Sequence, residues 1–232
     1  MALPPLFADL PPALRPFYDE AAPWQLLEGP LAAALAALPS ERIEIGLSPD
    51  FHLLGDRIAI GAGTRIHPTA VLEGPIFVGA GVTIGPGAYL RGGCWIGAGA
   101  LVGAHCEVKR SILLPGAEVA HLSYVGDSIL GAAASLGAGT ILSNYRHDGG
   151  EIQVEIDGRA VATNRRKLGA LLGDGVRAGC NCVLGPGCIV GAGTAIYPGA
   201  LLRSAAYPAG HLVKVRQQLE IVERTRLSPG DT

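Results

Sequence analysis

The chain has 232 residues, 34 of them glycine and 17 proline, with a hydrophobic fraction of 49% and only 4 phenylalanines. Glycine keeps no three-residue period and aliphatics are plentiful, which excludes collagen and disorder. The net charge of −2, from 18 basic and 20 acidic residues, makes no electrostatic case for nucleic acid or an anionic membrane as a partner.

In chain order, the N-terminus Met1-Ala-Leu-Pro-Pro-Leu-Phe-Ala-Asp9 lacks the regions of a signal peptide, and no apolar run spans a membrane. A cytoplasmic protein is expected, its five cysteines free thiols in a reducing compartment. Residues 1–50 read as an N-terminal helical segment. Leu26, Leu27, Leu31, Leu35 and Leu38 fall near helical spacing before Pro39-Ser40, which predicts a helix over about 23–38, packed against the main domain or capping its end.

Residues 51–206 form the repetitive domain. Ile60, Ile66, Leu72, Val78, Ile84, Leu90, Ile96, Val102, Val108 and Leu114 are spaced by six, and small residues recur four places later at Thr64, Ala70, Ala88, Cys94, Ala100 and Cys106. This is the hexapeptide signature of a left-handed parallel β-helix, an all-β fold in which the aliphatic points inward and three hexapeptides make one coil. The phase slips at 119–130 and settles at Leu130, Leu136 and Leu142, to return in Leu172, Ala178, Leu184, Val190, Ile196 and Leu202. Residues 143–170 are an excursion, within which 151–156, Asp157-Gly158 and 159–163 read as a β-hairpin that covers a site or clasps a neighbouring subunit. Residues 207–232 are a C-terminal helix and tail, with an amphipathic helix predicted over about 211–225 and docked on the last coil.

Cys94, Cys106, Cys182 and Cys188 take the small inward position of the repeat, so Cys180-Asn181-Cys182 is not read as a metal site. His52, His67, His105, His147 and His211 read as turn residues. His121 differs, lying at the phase slip among Ser123, Tyr124 and Asp127 and shortly after Glu107, Lys109 and Arg110. A neutral imidazole there suits a general base, and by residue type alone a satisfied structural histidine fits as well.

Arg91, Glu107-Val-Lys109, His121-Leu-Ser-Tyr124-Val-Gly-Asp127 and Leu136-Gly-Ala-Gly-Thr-Ile-Leu-Ser-Asn144-Tyr145 resemble the acetyltransferase domain of the bacterial bifunctional N-acetylglucosamine-1-phosphate uridyltransferase/glucosamine-1-phosphate acetyltransferase. The resemblance covers about residues 58–203 and extends to uncharacterised stand-alone relatives. It implies an acetyl-CoA-dependent N-acetyltransferase of an amino-sugar phosphate, trimeric, with sites between subunits and no metal in the acyl-transfer step. His121 would be the catalytic base, with Glu107 or a backbone carbonyl orienting its ring. Arg91, Lys109 and Tyr124 would hold the phosphorylated sugar, and Ala138, Asn144 and Tyr145 would contact acetyl-CoA. Cys180 stands where the family has a CoA-contacting serine, Pro198 where it has an alanine, and Ser135 where it has a sugar-contacting asparagine. Lys167 matches a family lysine if the hairpin is an insertion. The uridyltransferase domain has no counterpart, so that activity is not expected. The competing readings are a non-catalytic hexapeptide scaffold or sugar-phosphate-binding module, and a β-helix carbonic anhydrase, whose histidine spacing His67, His105 and His121 do not show.

Overall fold

The computed structural model describes residues 3–39, 41–46 and 52–223. Its body is a parallel β-helix of short strands in three long sheets. The first sheet has nine strands, from Glu41–Ile43 and Ile58–Ile60 to Ala206–Tyr207; the second has eight, from Arg65–Ile66 to Leu212–Val213; the third has eight, from His52–Leu54 to Leu201–Leu202. The chain visits first, second and third sheet in turn, and every pairing between coils is parallel. The helical body therefore reaches past both expected boundaries, beginning at Glu41 rather than 51 and including Leu212–Val213.

Inside, the six-spaced aliphatics stack coil on coil with the small residues between them, including all four inward cysteines. Burial pushes the Cys94 thiol up to about 12 and raises those of Cys106, Cys182 and Cys188. Cys180 is exposed, and all five cysteines are unpaired.

The phase slip lies earlier than the sequence pattern suggests. Ile60, Val78 and Ile96 pair at intervals of 18 residues, whereas Ile96, Leu113 and Leu130 pair at 17. One residue is lost at each corner from the third sheet to the first, at Lys109-Arg110-Ser111 and again at Gly126-Asp127-Ser128. Arg110 and Asp127 both take φ 46° there. Ser111 Oγ donates to the Lys109 carbonyl at 2.7 Å and accepts from Ser128 N at 3.1 Å; Ser128 Oγ repeats this with Gly126 and Ala170. The inward residue of this coil is thus Leu113, and Leu114 packs outside.

The outer face of the first sheet is apolar. Phe77, Trp95, Ile112, Ile129, Leu171, Ile189 and Ala206 form one column along it, with Phe77 stacked on Trp95 at 4.1 Å. The N-terminal segment and the hairpin cover this column, burying Leu6, Leu10, Leu14, Trp24, Leu26, Leu27, Leu31 and Leu35 together with Ile152, Val154 and Ile156. The segment is therefore a lateral strap rather than an end cap. It starts against the late coils, where Ala192 N donates to the Pro5 carbonyl and Asp174 N to that of Leu6, and ends beside the early ones, where Arg57 Nη1 donates to the Ala36 carbonyl at 2.9 Å. The helix expected over 23–38 is split into a 3₁₀ turn, Pro23–Leu27, and α1, Gly29–Ala36. Pro30 has no N–H and its ring obstructs a preceding helical turn, so the chain breaks at Glu28 and restarts.

The excursion is as expected: Leu130 and Leu142 pair with Leu172 and Leu184 across it, and strands Ile152–Ile156 and Arg159–Arg165 form the hairpin. It lies against its own chain, with Glu155 N bonded to the Ser204 carbonyl. The C-terminal helix is not formed through residue 223, residues 224–225 lying outside those described. Leu212–Val213 instead pairs with Ala195–Ile196, and Val213 and Val215 pack on the core. An open coil offers unpaired backbone, which satisfies this segment better than a short isolated helix can.

Two expectations follow. Leu14, wholly buried on the inner side of the strap, should cost the protein about 3 kcal/mol of stability on substitution by alanine, read from urea unfolding. A thiol reagent at pH 8 should modify one of the five cysteines in the native protein, a reaction lost in Cys180→Ser, and all five after denaturation.

Candidate functional site

The outer face of the third sheet carries the charged and aromatic residues singled out by sequence. Tyr89, Glu107, Tyr124 and Ile141 form one ladder column, and Arg91, Lys109 and Gly126 the next but one. Period-two alternation turns all of them outward from the buried residues Leu90, Val108 and Val125. Arg91 Nη1 donates to Glu107 Oε1 at 2.9 Å and sits over the Tyr89 ring; Tyr89 Oη in turn donates to Glu73 at 3.0 Å. Glu107 thus holds Arg91 and not the His121 ring, which removes one of the two partners expected for that ring. The Glu107 bond raises the pKa of Arg91.

One corner further on lies Asp127, a carboxylate whose side chain is 1% exposed. Its Oδ2 accepts from Asn144 Nδ2 at 2.6 Å and from Lys109 Nζ at 3.2 Å. Its Oδ1 makes no hydrogen bond among the described residues and faces Arg110 Nε at 3.6 Å, too long for a hydrogen bond but close enough for charge attraction. Tyr124 joins the same group: a Cβ on Gly126 would lie 2.5 Å from Tyr124 Oη and 2.7 Å from Asn144 Nδ2, so both polar ends meet above that glycine. Burial, then the Glu107 and Asp127 carboxylates, raise the Tyr124 pKa, which keeps it a neutral hydrogen-bond donor at physiological pH.

His121 stands at the opposite corner, between the second and third sheets. It is exposed, as is Leu122 beside it at φ 50°. Among the described residues its imidazole has no hydrogen-bond or ion-pair partner; Ser123 Oγ donates to the His121 main-chain carbonyl at 2.9 Å. Ala138 and Cys180 stack above it on successive coils, as Gly139 N bonds the His121 carbonyl, Asn181 N that of Ala138, and Gly199 N that of Cys180. Tyr145 is exposed and pairs by backbone with Lys167 across the neck of the excursion, where Leu168 N donates to the Asn144 carbonyl.

The residues named from sequence therefore fall into three sets: His121, Ala138 and Cys180 at one corner; Arg91, Lys109 and Tyr124 across the face; Asn144, Tyr145 and Lys167 at the other corner. The insertion reading of the hairpin does bring Lys167 beside Tyr145. Asp127 was missed as a centre, and its signal is its place at a corner that lost a residue. Ser135 is not on this face but on the second sheet, between Glu118 and Arg177. Among the described residues no three His, Cys, Asp or Glu side chains cluster as metal ligands.

Residues 72–176 match the family model of the GMPPB C-terminal domain, and residues 169–204 match that of bacterial transferase hexapeptide (six repeats). The chain carries transferase hexapeptide repeats. It is 42% identical over 113 residues to the bifunctional sugar-1-phosphate nucleotidylyltransferase/acetyltransferase of Sulfurisphaera tokodaii, covering 48% of this chain and 28% of that protein. It is 46% identical over 81 residues to the bifunctional protein GlmU of Methanococcus maripaludis, covering 35% and 20%, and 55% identical over 40 residues to that of Rhizobium johnstonii, covering 17% and 9%. The chain thus spans less than a third of the length of each of these relatives. No helix among the described residues is long and apolar enough to cross a membrane.

Gly126 offers a way to disturb the site alone. Gly126→Ala should melt within a few degrees of the native protein, since only side-chain ends must move, yet alter the near-ultraviolet tyrosine signal. Gly103→Ala, whose Cβ would overlap the Ala120 carbonyl oxygen in the backbone, should cost about 3 kcal/mol or more.

Proposed function

We propose that the protein is an acetyl-CoA-dependent N-acyltransferase acting on an amino-sugar phosphate of the glucosamine 1-phosphate type, with His121 as general base, and that it works as a homotrimer. The observation that carries this reading is the face where Arg91, Lys109 and Tyr124 stand on three successive coils beside Glu107. An amino-sugar phosphate is a zwitterion, and this face alternates cations with carboxylates. A guanidinium has five donors and an ammonium three, so Arg91 and Lys109 keep donors for a phosphate after pairing with Glu107 and Asp127. The half-exposed Glu107 carboxylate is left facing the acceptor amine. The acetyltransferase activity in the name of the Sulfurisphaera tokodaii relative gives the reaction its direction.

In the reaction, the acceptor ammonium first releases one proton to solvent; the neutral amine nitrogen then attacks the thioester carbonyl carbon of acetyl-CoA, a C–N bond forms and the C–S bond breaks. His121 takes the proton lost by nitrogen and returns it to the departing thiolate. Ala138, Cys180, Asn144 and Tyr145 are the proposed contacts to the donor, and Lys167 a further contact to the acceptor. The five steps of extended chain from Leu122 to Asp127 separate the two corners by about 16 Å, too far for one small acceptor to meet both. A second copy would bring the missing corner across. The outward column Ile141, Val183 and Leu201, exposed and aliphatic, supports such packing.

One observation favours the alternative of a non-catalytic sugar-phosphate-binding module: among the described residues the His121 imidazole lacks an orienting partner. The deciding experiment follows CoA release on mixing acetyl-CoA with glucosamine 1-phosphate, in a Cys180→Ser background that removes the exposed thiol. Acceptor-dependent release, lowered at least about 100-fold by His121→Ala, is the expected result. Binding of the sugar phosphate without release, unchanged in His121→Ala, would establish the module instead.

A further inference from the structure

We propose that Asp127 is the positioning residue of this site, a buried carboxylate that fixes the Lys109 ammonium and the Asn144 carboxamide together and so couples the acceptor side to the donor side, a division that rests on the function proposed above.

A carboxylate that is 1% exposed is costly to bury unless cations and donors compensate it. Asp127 collects three: Lys109 Nζ, itself on a side chain only 14% exposed, Asn144 Nδ2, and at longer range Arg110 Nε. The corner does not need the carboxylate in order to turn. On the preceding coils the same corner is built with Gly93 and Arg110, both at positive φ, and the serine hydroxyls of Ser111 and Ser128 carry its backbone bonds. The acid is therefore present for what it holds. What it holds spans the face and one corner of the site. Lys109 lies in the column with Arg91, Tyr124 Oη meets the Asn144 amide above Gly126, and the Asn144 and Asp127 carbonyls accept from Leu168 N and Gly169 N where the excursion returns. One carboxylate thus sets a cation and an amide with respect to each other, and the main-chain carbonyls of Asp127 and Asn144 hold the neck of the hairpin beside them.

Four proteins test this: native, Lys109→Met, Asp127→Asn and the double variant. If Asp127 holds Lys109, the single Lys109→Met strands a buried charge and melts lowest, and adding Asp127→Asn recovers part of the loss. Asp127→Asn alone should melt within a few degrees of native yet lower kcat/KM for glucosamine 1-phosphate at least about tenfold, and the double variant should be no worse than the poorer single, because both act on one interaction. Losses in kcat/KM that multiply, or a fall in turnover that only follows the fraction unfolded, would overturn the positioning role. If the native protein shows no turnover at all, the functional reading fails by itself. The melting cycle then decides alone, and a double variant that melts as low as the sum of the singles sinks the proposal.

Discussion

No coil of this protein has a core of its own. Each triangular turn is stable only because its strands pair in parallel with those above and below and its aliphatics rest on theirs, from Glu41–Ile43 to Leu212–Val213. This constraint fixes which residues can change and where. The inward column tolerates no drift, so when the repeat shortens from 18 to 17 residues the deletion falls at a corner, where Arg110 and Asp127 take φ 46° and serines restitch the backbone. The irregular corner is then free to carry chemistry, and it carries the buried carboxylate, its two cations and the root of the excursion.

The same constraint explains what could be read from sequence. Six-residue spacing reflects inward burial directly, so the coils, the excursion at 143–170 and the inward cysteines were legible. The slip was misplaced because Ile112, Leu113 and Leu114 are all aliphatic. The first sheet is buried on both faces there, and a strand buried on both faces loses the alternation that reveals its phase. The apolar outer column gave no sign of its own that residues 3–38 would cover it laterally. The C-terminal helix failed for a related reason, since 211–225 has helical spacing but sits beside an open coil end that accepts a strand.

The site was legible by residue type and much less by arrangement. His121, Arg91, Lys109, Tyr124 and Asn144 were named from a motif, but spacing along the chain cannot tell that His121 and Asp127 stand at opposite corners of one sheet. Nor could it assign Glu107, which lies between Arg91 and His121 in the sequence and pairs with Arg91 in space. Asp127 looked like one polar residue among several. Its burial, and the convergence of Lys109 and Asn144 on a single oxygen, exist only in three dimensions.

The strap gives the molecule an unusual order of completion. Pro5 and Leu6 are bonded to residues 192 and 174, so a segment that precedes every coil docks on coils that follow most of the others. A plain solenoid grows like a stack, each coil finished when its neighbour is, and either end can peel away without troubling the other. Here the two ends are laced together along one flank. Peeling the late coils requires unlacing the strap, and growth leaves its first leucines waiting for their cover until those coils are made. A fold that is local in every pairing is in this way made to finish, and to come apart, as a whole.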